Sequence, residues 1–115
     1  MPQLEHSLRP WGEYQVLLDT PYTKVKEITV KSGQRLSYQS HERRQEWWIV
    51  VQGTLTVTLD GIIFDVTKGS SVHIPINAKH RMINNTKTDV KVVEVQIGSY
   101  FGEDDIIRYE DDYGR

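Results

Sequence analysis

Alternating polar and apolar residues, interrupted at regular intervals by turn-forming residues, are the feature that most restricts the fold of this chain. Residues 22–30 and 90–97 follow the two-residue period of a strand, and Asp60-Gly61 between two further runs is a two-residue hairpin signal. No segment has a helical period of useful length. Short strands about ten residues apart, separated by Gly, Pro, Asn and Asp, indicate an all-β sandwich or barrel.

The organisation of the chain is that of one domain. A length of 115 residues is enough to bury a single core. Residues 1–8 are expected to form a flexible arm, and residues 98–115 form an acidic, aromatic tail in which a short helical turn is predicted around residues 104–108. We expect this tail to cover a sheet edge or to pack on a partner subunit. Because small barrels have exposed edges that need covering, a homodimer is expected.

Composition excludes several classes of protein. A formal net charge of -2 provides no basic face for nucleic acid and no polybasic patch for a membrane. No apolar run approaches the roughly 20 residues of a membrane span, and residues 1–6 have no apolar signal core. The absence of cysteine excludes a disulfide scaffold, thiolate zinc ligands and a cysteine nucleophile. We therefore expect a cytoplasmic protein without nucleic-acid or membrane partners.

Four side chains carry the strongest chemical signal. Gln39 and His41 are two residues apart, so on a strand they point to the same face, and Glu46 opens the next strand. His80 begins a later strand. Two imidazoles and two oxygens suit one divalent metal ion: zinc, or else manganese, iron, cobalt or nickel. Taken singly, each histidine is better explained by a structural role, and Gln39 and Glu46 could form a hydrogen-bonded polar pair inside a barrel, but as a set the four residues predict a metal site.

The spacing of these residues is similar to the two sequence motifs of the cupins. Gly33, Gln39, His41, Glu46 and Gly53 fit the first motif. The second motif is matched by Gly69, Pro75, His80 and Asn84, with Asn77 in a usual glycine position. This resemblance implies a small double-stranded β-helix, which is a jelly-roll-like barrel, and assigns the metal to the four residues above.

A closer resemblance extends over nearly the whole chain. The segments RPWG (9–12), VQGT (51–54) and GSYFGEDDI (98–106) resemble the C-terminal cupin domain of type II mannose-6-phosphate isomerases, which is often fused to a mannose-1-phosphate guanylyltransferase. This resemblance implies a metal-dependent isomerase, standing alone, that interconverts mannose 6-phosphate and fructose 6-phosphate through an enediol.

Two other functions stay open at the level of sequence. Glu42 and Arg43 stand where the family commonly has histidines, which favours a non-catalytic cupin that binds a metal and a sugar or sugar phosphate. Another metal-cupin activity, such as an oxygenase, fits the fold but not the match along the chain, and the Gln39 ligand also argues against it.

Moving a proton between C1 and C2 of a sugar requires an electrophile, a base and a cation for the phosphate. Glu94 is the candidate base, because burial in an apolar cavity would raise its pKa, although a solvated strand face is an equal alternative. Arg44 is assigned both to the catalytic set and to the phosphate, since arginine binds phosphate with two parallel hydrogen bonds. Arg81 and Arg35 complete the predicted substrate-binding set, with Arg108 in reserve, although a surface charge explains any one of them alone.

Overall fold

Eleven β-strands form the part of the chain that the computed structural model describes, which is residues 4–113. In chain order they are β1 (His6–Arg9), β2 (Gly12–Asp19), β3 (Thr23–Val30), β4 (Tyr38–Ser40), β5 (Arg44–Gln52), β6 (Thr54–Leu59), β7 (Ile62–Thr67), β8 (Ser71–Ile74), β9 (His80–Ile83), β10 (Val90–Gly98) and β11 (Ile107–Glu110). Within residues 4–113, no helix is long and apolar enough to cross a membrane. The all-β prediction is confirmed.

The strands form two antiparallel sheets. The larger sheet has the order β1-β2-β3-β10-β5-β8, and the smaller has the order β11-β4-β9-β6-β7. The penultimate strand β10 lies between β3 and β5, so segments far apart in sequence become neighbours. The start of β5 pairs with the end of β10 in the larger sheet, and β4 pairs with the start of β9 in the smaller sheet. Between the two sheets, Glu46 of β5 lies 3.8 Å from His80 of β9. This arrangement provides the frame of the candidate site.

The predicted turns explain the register of the smaller sheet. Asp60 and Gly61 connect β6 to β7 with φ angles of 47° and 83°. Two consecutive residues with positive φ are typical of the type I′ hairpin, and glycine at the second position adopts this geometry without steric strain. Leu59 then pairs with Ile62, and this register places the buried residues Leu55 of β6 and Val66 of β7 opposite each other.

The hydrophobic core lies between the two sheets. On the larger sheet, Ile28 and Val30 of β3 and Val92 of β10 project inward, and on the smaller sheet Leu55 and Val57 of β6 project toward them. The buried apolar residues are Trp11, Tyr14, Val16, Ile28, Val30, Trp48, Val50, Leu55, Val57, Val66, Ile74, Ala78, Met82, Val90 and Val92. Burial of this set leaves polar side chains at one end of the interior, where the candidate site lies.

Two predictions about the ends of the chain are wrong. Residues 6–8 do not form a loose arm but belong to β1, which pairs with β2 from His6↔Gln15 to Arg9↔Gly12. The expected helical turn at residues 104–108 is replaced by a turn followed by β11. Pairing of this strand with the otherwise uncovered edge of β4 provides backbone hydrogen bonds that a lone helical turn would lack. The parts of the predicted arm and tail at residues 1–3 and 114–115 lie outside the described residues.

Candidate metal centre

Three of the predicted metal ligands converge inside the protein. One ligand atom from each of His41, Glu46 and His80 lies within 4.8 Å of the other two, and all three residues are buried. His41 directly follows β4, Glu46 lies near the start of β5, and His80 is the first residue of β9. The group therefore draws one ligand from the connection after β4 and one each from β5 and β9.

Hydrogen bonds fix the orientation of both imidazoles. The Nδ1 atom of His41 lies 2.5 Å from the backbone carbonyl oxygen of Asp105, and that of His80 lies 2.9 Å from the carbonyl of Ala78. Because a carbonyl only accepts, each Nδ1 carries the proton and each Nε2 keeps a lone pair. The buried Nε2 of His80 has no hydrogen-bond partner among the described residues. A buried lone pair of this kind fits a metal ligand, because coordination would satisfy it.

Neutral imidazoles are also favoured by the surroundings. Burial lowers the pKa of His41 to about 4, and the positive charge of Arg44 acts in the same direction. Burial lowers the pKa of His80 to about 4 as well, against the opposing effect of its hydrogen bond to Ala78. Metals bind the neutral form of histidine, so both side chains are ready to coordinate at neutral pH.

The carboxylate of Glu46 is held by two donors. The Nε of Arg44 donates to its Oε2 at 2.8 Å, and the indole Nε1 of Trp48 donates to its Oε1 at 2.9 Å. The Nη2 of Arg44 also lies 3.1 Å from the Nε2 of His41, so this guanidinium is directed at the lone pair that a metal would use. Binding of a metal therefore requires Arg44 to give up its contact with His41.

The fourth predicted ligand, Gln39, lies on β4 directly opposite His80 of β9. Its Oε1 accepts a hydrogen bond from the hydroxyl of Ser37 at 3.2 Å, and the residue lines a cavity beside the histidine pair. The structure therefore places all four predicted ligands at the same end of the interior. Their assignment as ligands stays a prediction.

Glu94 is buried next to this group. The indole Nε1 of Trp48 donates to its Oε1 at 3.1 Å while also donating to Glu46, and the Nε2 of Gln96 donates to its Oε2 at 3.0 Å. Burial, reinforced by the neighbouring charge of Glu46, raises the pKa of Glu94 to about 8. A carboxyl group with a pKa near neutrality can both give and take a proton.

A cavity of about 140 Å³ opens beside Glu94 and Gln39. Four cationic side chains line it, together with the carboxyl groups of Glu94 and Glu103. The four cations are Arg9, Lys26, Arg44 and Arg108. Burial would raise the pKa of Glu103, but the charges of Lys26 and Arg44 outweigh it and lower the pKa to about 2. The cavity therefore has an excess of positive side chains, and one of them, Arg44, also contacts His41.

The other two predicted phosphate ligands lie elsewhere. The Nε of Arg81 donates to the carbonyl of Leu36 at 2.8 Å, and its Nη1 pairs with Glu110 at 3.3 Å. Arg35 forms an ion pair of 2.6 Å with Asp112. Neither arginine is among the described residues that line the cavity. Both arginines instead bind residues of the C-terminal segment. Of the arginines predicted to bind phosphate, only Arg44 and the reserve residue Arg108 line the cavity.

Sequence reasoning missed Lys26, Glu103 and Gln96. Lys26 shares its strand face with the buried residues Ile28 and Val30, and a lysine on an apolar face is a signal that could have identified it. Gln96 follows Glu94 on the inner face of β10 and is fully buried. Glu103 lies in a segment that carries the family resemblance, but nothing in that segment assigns it to a cavity, because only the path of the chain after β10 brings it to Lys26.

Comparisons with known proteins agree with this structure. A family model described as "Mannose-6-phosphate isomerase C-terminal" matches residues 2–111. The chain is 51% identical over 107 residues to the alginate biosynthesis protein AlgA of Pseudomonas aeruginosa, covering 93% of this chain and 22% of that protein. It is 47% identical to a mannose-1-phosphate guanylyltransferase of Klebsiella pneumoniae, covering 93% and 23%. An RmlC-like cupin from Shewanella frigidimarina has the same fold, with a TM-score of 0.74 and 23% identity over 89% of this chain and 88% of that one.

These comparisons correct the function predicted from the sequence. A free-standing enzyme that interconverts mannose 6-phosphate and fructose 6-phosphate was expected, with a non-catalytic sugar-binding cupin as the alternative. The relatives are instead named for alginate biosynthesis and for guanylyltransferase activity, and the chain spans less than a quarter of their length. A complete activity therefore cannot be transferred from them to this chain by itself, and the prediction is wrong in that form.

Proposed function

The chain belongs to the family of mannose-6-phosphate isomerase C-terminal domains, and from this premise we propose that it supplies a metal centre and a buried carboxyl group for proton transfer on a phosphorylated sugar. The observation that carries the proposal is the convergence of His41, Glu46 and His80, with an unsatisfied imidazole nitrogen on His80. The names of the relatives favour a sugar of the mannose phosphate type, and the cationic cavity favours an anionic ligand.

The donor set suits one divalent ion. His41 and His80 would supply nitrogen, while Glu46 and Gln39 would supply oxygen. Zinc accepts this mixture, as do manganese, iron, cobalt and nickel, and we propose zinc as the first to be tested. A metal bound there would act as a Lewis acid on the oxygen of a sugar carbonyl.

The remaining chemistry is assigned to side chains of this domain. Glu94 would remove and return the proton on the carbon next to the carbonyl, since it lines the cavity and is held by Trp48 and Gln96. The shared donor of Trp48 keeps this carboxyl group beside the carboxylate of Glu46. The apolar wall formed by residues such as Ile28 would limit water near the reacting carbon.

The test uses the full chain, first stripped with a chelator and then loaded with one metal at a time. Calorimetry should show one metal ion bound per chain. In heavy water, NMR should then show loss of the C2 proton of mannose 6-phosphate with metal-loaded protein and not with metal-free protein. Mannose 1-phosphate is the matched control compound. Its anomeric carbon carries the phosphate ester, so the ring cannot open to give a carbonyl group.

Two histidine variants provide the control. His80→Ala should abolish metal binding and the loss of the C2 proton. His73→Ala removes an exposed histidine that stacks on Trp47 outside the cavity, so it should change neither. Folded, metal-loaded protein that leaves the C2 proton untouched would reject proton transfer as the function, even if it bound the sugar phosphate.

A further inference from the structure

Lys26 is a buried cation that the metal centre does not explain. The residue is 4% exposed, lines the cavity, and has its Nζ 4.3 Å from the centre of the Tyr14 ring. Its ammonium group forms an ion pair with the carboxylate of Glu103. Because a buried charge without an opposite charge is strongly unfavourable, this lysine needs an anion at that position.

The anion paired with Lys26 is the carboxylate of Glu103, which lies near the protein surface. Glu103 lies in the irregular segment between β10 and β11, and its side chain is 43% exposed, whereas the side chain of Lys26 is 5% exposed. The same carboxylate lies 3.9 Å from the Nη2 of Arg44, whose side chain is 3% exposed. Two fixed, buried cations are thus covered by one half-exposed carboxylate that could withdraw into water without leaving its own segment.

Glu103 does not satisfy the cations completely. The buried Nη1 of Arg44 has no hydrogen-bond partner among the described residues. Around the cavity, the four cationic side chains outnumber the carboxyl groups of Glu94 and Glu103 by two. Arginine and lysine together favour an anion with three accepting oxygens, which a phosphate monoester has and a single carboxylate lacks.

We propose that Lys26 and Arg44 form a phosphate-binding subsite, and that Glu103 occupies this subsite in the unliganded protein and is displaced when phosphate enters. The proposal deepens the proposed function and rests on it for the sugar part of the ligand. Arg44 links the two sites, because its Nη2 is also 3.1 Å from the Nε2 of His41. A phosphate held by this arginine would leave the rest of a hexose phosphate in the cavity beside Glu94.

Displacement of Glu103 would also allow the guanidinium of Arg44 to move, because it would remove one of the ion pairs of this side chain. In the unliganded protein this guanidinium contacts Glu46 and His41 as well as Glu103. Phosphate would replace a distant carboxylate by a closer anion and would draw Arg44 toward the cavity. Binding of phosphate and release of the His41 nitrogen are therefore expected to favour one another.

The test measures binding of inorganic phosphate to the full, metal-free chain by NMR titration or calorimetry, with chelator present so that no metal can bind the phosphate. Glu103→Gln removes the competing charge and keeps the size of the side chain, and we expect phosphate to bind about tenfold tighter to this variant. Lys26→Met keeps the buried hydrocarbon stem and loses the charge, and phosphate should bind at least about tenfold more weakly. A gain of affinity in Glu103→Gln cannot be produced by misfolding.

Asp112→Asn is the matched control, because Asp112 also lies in the C-terminal segment and accepts from a basic side chain, that of Arg35, but is not among the residues that line the cavity. It should leave phosphate affinity unchanged. The proposal is overturned if Glu103→Gln binds phosphate no tighter than the unaltered chain, or if Asp112→Asn produces the same gain. Since the metal is absent from this assay, its outcome is independent of whether the metal-loaded protein removes the C2 proton.

Discussion

Lowering the pH from 7 to 5 should leave the metal affinity of this protein almost unchanged. A metal competes with protons for the imidazole nitrogens, so the affinity of an ordinary histidine site falls as the pH drops below the histidine pKa. Burial places the pKa of both His41 and His80 at about 4 in the metal-free protein. At pH 5 both imidazoles therefore remain neutral in most molecules.

The size of the effect follows from the two pKa values. With an unperturbed pKa of about 6.5, the change from pH 7 to pH 5 would weaken binding by about 25-fold for each imidazole, and by roughly several hundred-fold for the pair. With a pKa of about 4 for each residue, proton competition over the same range weakens binding by less than about twofold in total. The two cases differ by more than two orders of magnitude.

Zinc titrations followed by calorimetry at pH 5, 6 and 7 would measure this difference directly. His73→Ala should give the same three affinities as the unaltered chain, because that histidine lies on the exposed surface. A loss of a hundredfold or more between pH 7 and pH 5 would refute the reasoning, since it would mean that the histidines of the centre take up protons as freely as exposed ones.

Two further predictions concern the residues that support the centre. Trp48→Phe removes the one indole donor shared by Glu46 and Glu94, and it should lower the free energy of unfolding in urea by about 2 kcal/mol, whereas Trp47→Phe on the outer face should change it much less. Equal losses in the two variants would contradict this account. Gly98→Ala would place a Cβ atom 2.1 Å from the backbone oxygen of Arg43, so the strands must separate, and the free energy of unfolding should fall by about 1–3 kcal/mol. Ser99→Ala is its neighbouring control, and a Gly98→Ala protein as stable as this control would argue against the close contact.

The sequence determines most of the strands because the period of two and the turn residues are local signals. The hairpin at Asp60 and Gly61 and the strand β10 were predicted in this way and agree with the structure. β1 and β11 were missed because both are four-residue strands with largely exposed side chains, so their pairing produces no alternation in the sequence. Short edge strands are defined by the neighbour that they pair with, and that neighbour is not visible locally.

The candidate centre was predictable for a different reason. The spacing of His41, Glu46 and His80 resembled a known pair of motifs, so their convergence could be expected without knowledge of the register between strands. The roles of the basic residues could not be expected in the same way. Arg81 was predicted at the cavity but lies against Glu110, and Lys26 was overlooked although it lines the cavity. In both cases the deciding partner belongs to the C-terminal segment, which is remote in sequence.

The hydrogen bond from His41 to the carbonyl of Asp105 has a consequence for the order in which the protein matures. During synthesis, both motif segments are made before Asp105, because translation proceeds from the N-terminal end. A nascent chain that already has all four candidate ligands would still lack the group that fixes the His41 ring. The centre is therefore completed late, by the last part of the described chain to be translated, and capture of metal should be among the final events of folding.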